Sequence, residues 1–210
     1  MITSQVTSRQ GNITLDNRDA TLMLKVSDVN FFIIMDGSSS KKYSGKFVRL
    51  MVLELQKRLP TLRPEQLTPA TIKKNIETLL EESRQNIMYQ CIPASLSILI
   101  LAVMQEKLVL ALWTGDCALA VKQRNGKLRW LTKPHTVLNQ VIPLLKNNSQ
   151  RHLLAHSIES CRPAKLRGAC AFHFNQNMKL ILATDGWWSK NFTQNNPAQD
   201  DETLIEIQRR

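Results

Sequence analysis

Apolar positions along the chain fall into two rhythms. Phe31-Phe32-Ile33-Ile34-Met35 and Leu180-Ile181-Leu182-Ala183-Thr184 are short, nearly unbroken runs, the pattern of buried strands. Phe47, Val48, Met51, Val52, Leu55 and Leu59 instead recur at helical spacing, predicting a helix over about Tyr43 to Leu59 that Pro60 ends. Ile72, Ile76, Leu79, Leu80, Ile87 and Met88 predict a second helix over about Pro69 to Tyr89. Thr68 is its candidate N-cap and Pro69 its first helical residue. A strand-rich block follows: Ser95–Met104, a polar Gln105-Glu106-Lys107 turn, Leu108–Trp113, then Ala118–Lys122 and Lys127–Leu131 joined across Asn125-Gly126, a strong hairpin signal. Residues 1–30 predict an entry strand and a turn-rich loop. Residues 136–160 have a helical pattern interrupted by Pro143 and Asn147-Asn148, and Thr203–Ile207 forms a final strand. Strands and helices are grouped rather than alternating, which predicts an α+β layered fold instead of βαβ units.

Composition narrows the class without naming a function. The 210 residues, 43% hydrophobic and 21% charged, suit one folded domain. No apolar stretch is long enough for a membrane-spanning helix, and residues 1–11 lack a signal-peptide core. Cys91, Cys117, Cys161 and Cys170 show no C-x-x-C pairing and are expected to be reduced packing residues of a cytoplasmic protein. The net charge of +11 admits three readings: nucleic acid, an acidic or phosphorylated protein partner, or a basic solvated surface. Aromatics make up 6% and do not interleave with the Lys and Arg residues, which argues against a single-strand nucleic-acid groove.

Both short apolar runs end in Asp-Gly, at Asp36-Gly37 and Asp185-Gly186. A carboxylate at the end of a buried strand is held firmly at the rim of the fold. Two such ends meeting would make a hard, oxygen-rich pocket of the kind magnesium or manganese requires. Asp19, Asp116 and Asp200 lie at other predicted strand edges, so five carboxylates are candidates. Any one of them alone would be read as a turn or capping residue. His135, His152, His156 and His173 are expected to be packing or surface residues, and Trp187 and Trp188 to pack against a neighbouring element.

The order of these motifs resembles the protein phosphatase 2C family of metal-dependent serine/threonine phosphatases, from about Asn17 to Ile207. The carrying segments are Phe31–Gly37, Ala94-Ser95-Leu96-Ser97, Trp113-Thr114-Gly115-Asp116-Cys117, Leu131-Thr132-Lys133-Pro134-His135, Ala183-Thr184-Asp185-Gly186-Trp187 and Asp200-Asp201-Glu202-Thr203. The resemblance implies a four-layer α-β-β-α sandwich with two central antiparallel sheets, and two divalent cations, Mg or Mn. Asp36 would bridge both metals, the Gly37 carbonyl would bind one, and Asp185 and Asp200 would hold the other. Asp19 would support the shell and Asp116 would sit near a weaker third position. The implied reaction is hydrolysis of phosphoserine or phosphothreonine in a protein substrate by metal-activated water, with Asp36 and Asp185 as the catalytic carboxylates. A catalytically degenerate module that binds a phosphoprotein or regulatory partner is the alternative.

The chain departs from the family pattern at several points. The family arginine that binds phosphate falls near Thr14, leaving Arg18 or Arg9 as substitutes; Arg18 is the expected phosphate ligand. Ser38 stands where the family often has His, and Ser38-Ser39-Ser40 replaces a glycine-rich turn. The span from Thr132 to Leu180 is short for the family, so residues 1–210 are expected to form one domain with a reduced or missing flap.

Overall fold

The computed structural model describes residues 1–105, 107–133, 135, 156–188 and 199–209. Its strands, in chain order, are β1 (Ile2–Arg9), β2 (Asp19–Val26), β3 (Val29–Gly37), β4 (Ser95–Met104), β5 (Leu108–Thr114), β6 (Ala118–Lys122), β7 (Leu128–Trp130), β8 (Ile158–Glu159), β9 (Gly168–His173), β10 (Lys179–Ala183) and β11 (Glu202–Arg209). The two long helices are α1 (Ser44–Arg58) and α2 (Ile72–Ile87). The strands form two antiparallel sheets. One has the order β1-β11-β10-β6-β7; the other has the order β2-β3-β4-β5-β9, with β8 paired to the start of β4.

The period-two alternation of β3 and β4 decides the layering. Phe31, Ile33 and Met35 of β3, with Leu96, Ile98 and Ile100 of β4, face one way and pack against Phe47, Met51 and Leu55 of α1 and Ile72, Ile76 and Leu80 of α2. Phe32, Ile34, Leu99, Leu101 and Val103 face the other way and meet Leu119, Leu180, Leu182, Ile205 and Ile207 of the second sheet. The central sheet is thus buried on both faces, which is why β3 and β4 read as continuous apolar runs. Fully burying each such side chain contributes about 1.5–3 kcal/mol, so these two layers dominate the stability. On the far face of the second sheet, Ala118, Ala120, Ile181 and Ala183 are buried as well.

Several expectations change against this frame. The first 30 residues hold two full strands, β1 and β2, not one strand and a loop. Helix α2 begins at Ile72: residues Thr68–Thr71 form a turn in which the Thr68 carbonyl accepts the Thr71 and Ile72 N–H groups, and Thr68 caps nothing with its side chain. Helix α1 ends as expected just before Pro60, which lies within a tight 3₁₀ turn, Leu59–Thr61. The helical pattern over 136–160 lies mostly outside the described residues, and at its end Ile158–Glu159 is a short strand. All four cysteines are free; Cys91 and Cys117 are buried, but Cys161 is exposed and Cys170 half-buried. No helix among the described residues is long and apolar enough to cross a membrane.

Candidate metal-binding active site

Strand register builds the site. Asp19 at the start of β2 lies opposite Asp36 near the end of β3, and Asp36 lies opposite Ser97 of β4. Directly opposed residues share a face, and Asp36 shares the face of Phe32 and Ile34. The carboxylates therefore open into the space between the sheets, at the end where β10 runs into Asp185 and where Asp200 leads into β11. The β5–β6 turn carries Asp116 to the same end. All five sequence candidates converge: Asp185, Asp19, Asp116 and Asp200 each raise the charging cost of Asp36, and Asp36 in turn hydrogen-bonds to Asp185.

Burial sets the electrostatics. Asp36 and Asp185 are both pushed well above the usual carboxylate range, first by burial. For Asp36 the neighbouring Asp185 comes next, and for Asp185 it is Asp116. Burial pushes Asp19 up to about 7, against hydrogen bonds from Thr184 and Thr203 that favour its charged form. Burial likewise raises Asp116, partly offset by the Ser97 hydroxyl, and Asp200, partly offset by the Asp201 N–H. Asp19 and Asp116 each keep one buried side-chain oxygen without any hydrogen-bond partner. Such an arrangement demands either protons or a cation. The donors are all oxygen, which selects a hard divalent ion such as Mg or Mn. Among the described residues no three such groups already close into a ready-made cage, so a cation would have to draw them together.

A second ring of residues holds the carboxylates, and sequence reasoning found few of its members. The Thr184 hydroxyl donates to Asp19 Oδ2 at 2.9 Å, and the Thr203 N–H donates to Thr184 Oγ1 at 2.9 Å, tying β10, β11 and β2 together. Of the adjacent pair 200–201, Asp201 is the brace. Its Oδ1 accepts the Gly11 N–H at 2.8 Å and its Oδ2 accepts the Arg18 N–H at 2.7 Å. That leaves Asp200, whose Oδ1 accepts the Asp201 N–H at 2.9 Å, to face the cluster. Thr14 also belongs to this bracing, donating to the Asp16 carbonyl at 2.8 Å.

Around Asp116, the Gly115 N–H donates to His135 Nδ1 at 3.3 Å, the His135 N–H returns to the Gly115 carbonyl at 2.7 Å, and the Asp116 N–H donates to Ser97 Oγ at 3.3 Å. His135 is 7% exposed and stacks on Trp113. Burial lowers its pKa to about 4, so at neutral pH the ring is uncharged and free to accept. Trp188 donates its indole N–H to the Asp116 carbonyl at 3.0 Å, so it supports the turn directly.

Gly115 has φ +95°, and a side chain there would overlap Ser97. Gly115→Ala is expected to cost about 2–4 kcal/mol, summing the left-handed penalty and the forced repacking. Urea denaturation measures it; a loss below about 0.5 kcal/mol would show that the turn relaxes freely.

Arg18, the expected phosphate ligand, is near enough to Asp200 to favour its carboxylate but is partly committed to a loop. Its Nη1 donates to the Ser38, Ser39 and Lys41 carbonyls at 3.1, 3.3 and 3.1 Å, and its Nε lies 3.5 Å from Asp16 Oδ1. This group staples the loop that follows Asp36-Gly37. Gly37 packs closely where β3 meets α1, its would-be side chain 3.1 Å from the Arg18 and Ser44 carbonyls.

The sequence profile of the protein phosphatase 2C family matches residues 12–206. The chain belongs to the protein phosphatase 2C family. A search of curated protein sequences finds no match. Solved structures that resemble it are bacterial phosphatases of low sequence identity. The S. agalactiae serine/threonine phosphatase superposes with a TM-score of 0.82 at 12% identity, covering 100% of both chains. Serine/threonine phosphatase Stp1 from Staphylococcus aureus gives 0.80 at 14%, covering 100% of this chain and 96% of that one. The catalytic domain of serine/threonine protein phosphatase PstP in complex with two manganese ions gives 0.72 at 11%, covering 99% and 97%. These likenesses establish the α+β sandwich with two central antiparallel sheets.

Proposed function

We propose that this phosphatase 2C protein hydrolyses phosphoserine or phosphothreonine in proteins, using two divalent cations held by Asp36, Asp185 and Asp200, with Asp19 and Asp116 beside them and the Gly37 carbonyl as a further oxygen donor. The observation that carries the reading is the convergence of five carboxylates, two of them with orphaned buried oxygens, in a chain of this family. Two bound cations would activate water and neutralise the phosphoryl oxygens. The protein's own contribution is orientation. Thr184 fixes Asp19, Ser97 and His135 fix the Asp116 turn, and Asp201 holds the 10–18 loop against the site.

Turnover of a small aryl phosphate with manganese, and its loss in excess chelator, tests the reading. Full activity in chelator would refute it. Arg18 supports the alternative of a binding module without turnover, because its Nη1 is committed to loop carbonyls and Thr14 occupies the family arginine's place. A folded protein that binds manganese yet releases no phosphate would establish that alternative.

The same electrostatics predict a pH effect. Asp19 binds its proton more tightly folded (about 7) than unfolded (3.8), so between those values the folded state holds more protons. Stability of the metal-free protein therefore falls as pH rises from about 4 to 8. Manganese at about 100 times its dissociation constant adds about 2.7 kcal/mol, or roughly 5–10 °C in Tm for a chain of this size. The shift should be larger at pH 8 than at pH 5.5, where protons compete. Equal shifts by differential scanning fluorimetry would place the metal away from these carboxylates.

A further inference from the structure

The charge of +11 finds a use at the rim of the site. The loop leaving Asp36-Gly37 runs Ser38-Ser39-Ser40-Lys41-Lys42 into α1, which carries Lys46 in its first turn. Hydrogen bonds stitch this loop to the segment entering β4: the Ser38 N–H to the Ser95 carbonyl at 3.1 Å, the Tyr43 N–H to the Pro93 carbonyl at 3.4 Å, and the Ser95 N–H to Ser44 Oγ at 3.2 Å. The segment so attached carries Tyr89, 83% exposed, and Ile92, 50% exposed. Lys46 lies within one helical turn along α1 of Tyr43 and Ser44, two of the residues that hydrogen-bond to this segment.

Lys42 and Lys46 are exposed. Lys42 lies 5.1 Å from the centre of the Tyr43 ring, a contact that neutralises none of its charge. The carboxylates of this rim are already matched: Glu159 by Lys41 at 3.5 Å and Arg162 at 3.8 Å, and Asp16 by Arg49 at 2.9 Å. The rim is therefore basic, with two exposed apolar side chains, and it begins at the residue after the metal-site glycine.

We infer that this rim, Lys42 and Lys46 with Tyr89 and Ile92, docks the peptide around the phosphorylated residue and selects one with acidic flanking residues and an apolar side chain. The inference rests on the phosphatase reading and supplies its substrate class. Exposed lysines on the loop and helix that follow Asp36-Gly37 attract acidic flanking residues and steer their approach over about a Debye length (~8–10 Å). The apolar pair adds a contact that salt does not screen.

The test uses the full chain with manganese and three phosphothreonine peptides: one flanked by Glu and Leu, one by Lys and Leu, one by Glu and Ser. We expect kcat/KM for the first to exceed the second at least tenfold and the third about threefold. The advantage over the second should shrink several-fold between 50 and 300 mM NaCl. Lys42→Glu with Lys46→Glu should lower the ratio of acidic-peptide to aryl phosphate kcat/KM at least fivefold, and Ile92→Ser should erase the preference for Leu. Aryl phosphate turnover without peptide discrimination overturns this inference and leaves the phosphatase reading standing. Should aryl phosphate not be turned over, that reading fails. Fluorescence anisotropy of the same peptides carrying a phosphonate then decides the rim: tighter binding of the acidic peptide supports it. Equal affinity, or displacement of the acidic peptide by single-stranded RNA with no peptide preference, overturns it.

Discussion

Asp36→Asn is expected to move activity and stability in opposite directions. Manganese-dependent hydrolysis should fall at least about a hundredfold, the scale seen when a preorganised charge-stabilising group is removed. The metal-free protein should instead become more stable at neutral pH. Asp36 is half-buried and pushed well above the carboxylate range by burial and by Asp185, so folding at pH 7 has to hold either a poorly solvated charge or a proton taken up from solution. The amide avoids both, and about 1–2 kcal/mol, a few degrees in Tm, is the expected gain. It should vanish near pH 4, where the unfolded carboxyl is itself protonated. A variant that loses both activity and stability would mean that Asp36 is a structural hydrogen-bonding residue, and the metal reading would fall with it.

The second large effect is predicted far from the metal site. Arg84 on α2 is 6% exposed and clasps Glu81 with two hydrogen bonds, Nη2 to Oε1 at 2.6 Å and Nε to Oε2 at 2.9 Å, while Nη1 donates to the Ser160 carbonyl at 2.8 Å. Glu81 also accepts the Ala164 N–H at 2.7 Å. The pair anchors residues 159–166 to α2. Ser160 in turn exchanges hydrogen bonds with Ala94, at the entry to the strand that carries Ser97. Arg84→Met takes away two of the donors to Glu81, which keeps those from Ala164 and Gln85, and leaves the Ser160 carbonyl unpaired, and a loss of about 3 kcal/mol, the low end for a broken buried pair, is expected. The hydrogen bonds from Arg84 hold Glu81 down at about 2. Its contribution is therefore complete above about 4.5 and lost as pH falls towards 2. The difference between wild type and Arg84→Met should accordingly narrow on acidification. A gap that stays constant between pH 6 and 3 would assign the loss to packing instead of charge.

What could be read from residues alone followed the physics of burial. β3 and β4 stood out because both faces are covered, and both long helices because one stripe is. β2 did not, because it is an edge strand whose Met23 and Lys25 are exposed and break the pattern. β9, Gly-Ala-Cys-Ala-Phe-His, is too short and small-residued to separate from a loop. The carboxylates were legible because each sits where an apolar run stops. Their supports were not. Asp201 differs from Asp200 only in which way it turns, and nothing local reveals that its oxygens meet Gly11 and Arg18 from across the chain. Arg18 looked free to bind phosphate because three loop carbonyls, visible only in the fold, compete for it. His135 reads in sequence as a packing or surface residue, and its acceptor role depends on Gly115 being folded back onto it.

The pairing of β1 with β11 sets an order of events in the making of this protein. Ile2 stands opposite Arg209 and Arg9 opposite Glu202, so β1 joins its sheet through β11, which follows all the other described strands in the chain. Loop closure over so long a separation is slow. Asp200 and Asp201 arrive with that same late strand, one completing the carboxylate cluster and the other fastening the 10–18 loop beside it. The helix-side core is thus independent of β11, whereas the inter-sheet core waits for Ile205 and Ile207 and the carboxylate cluster for Asp200.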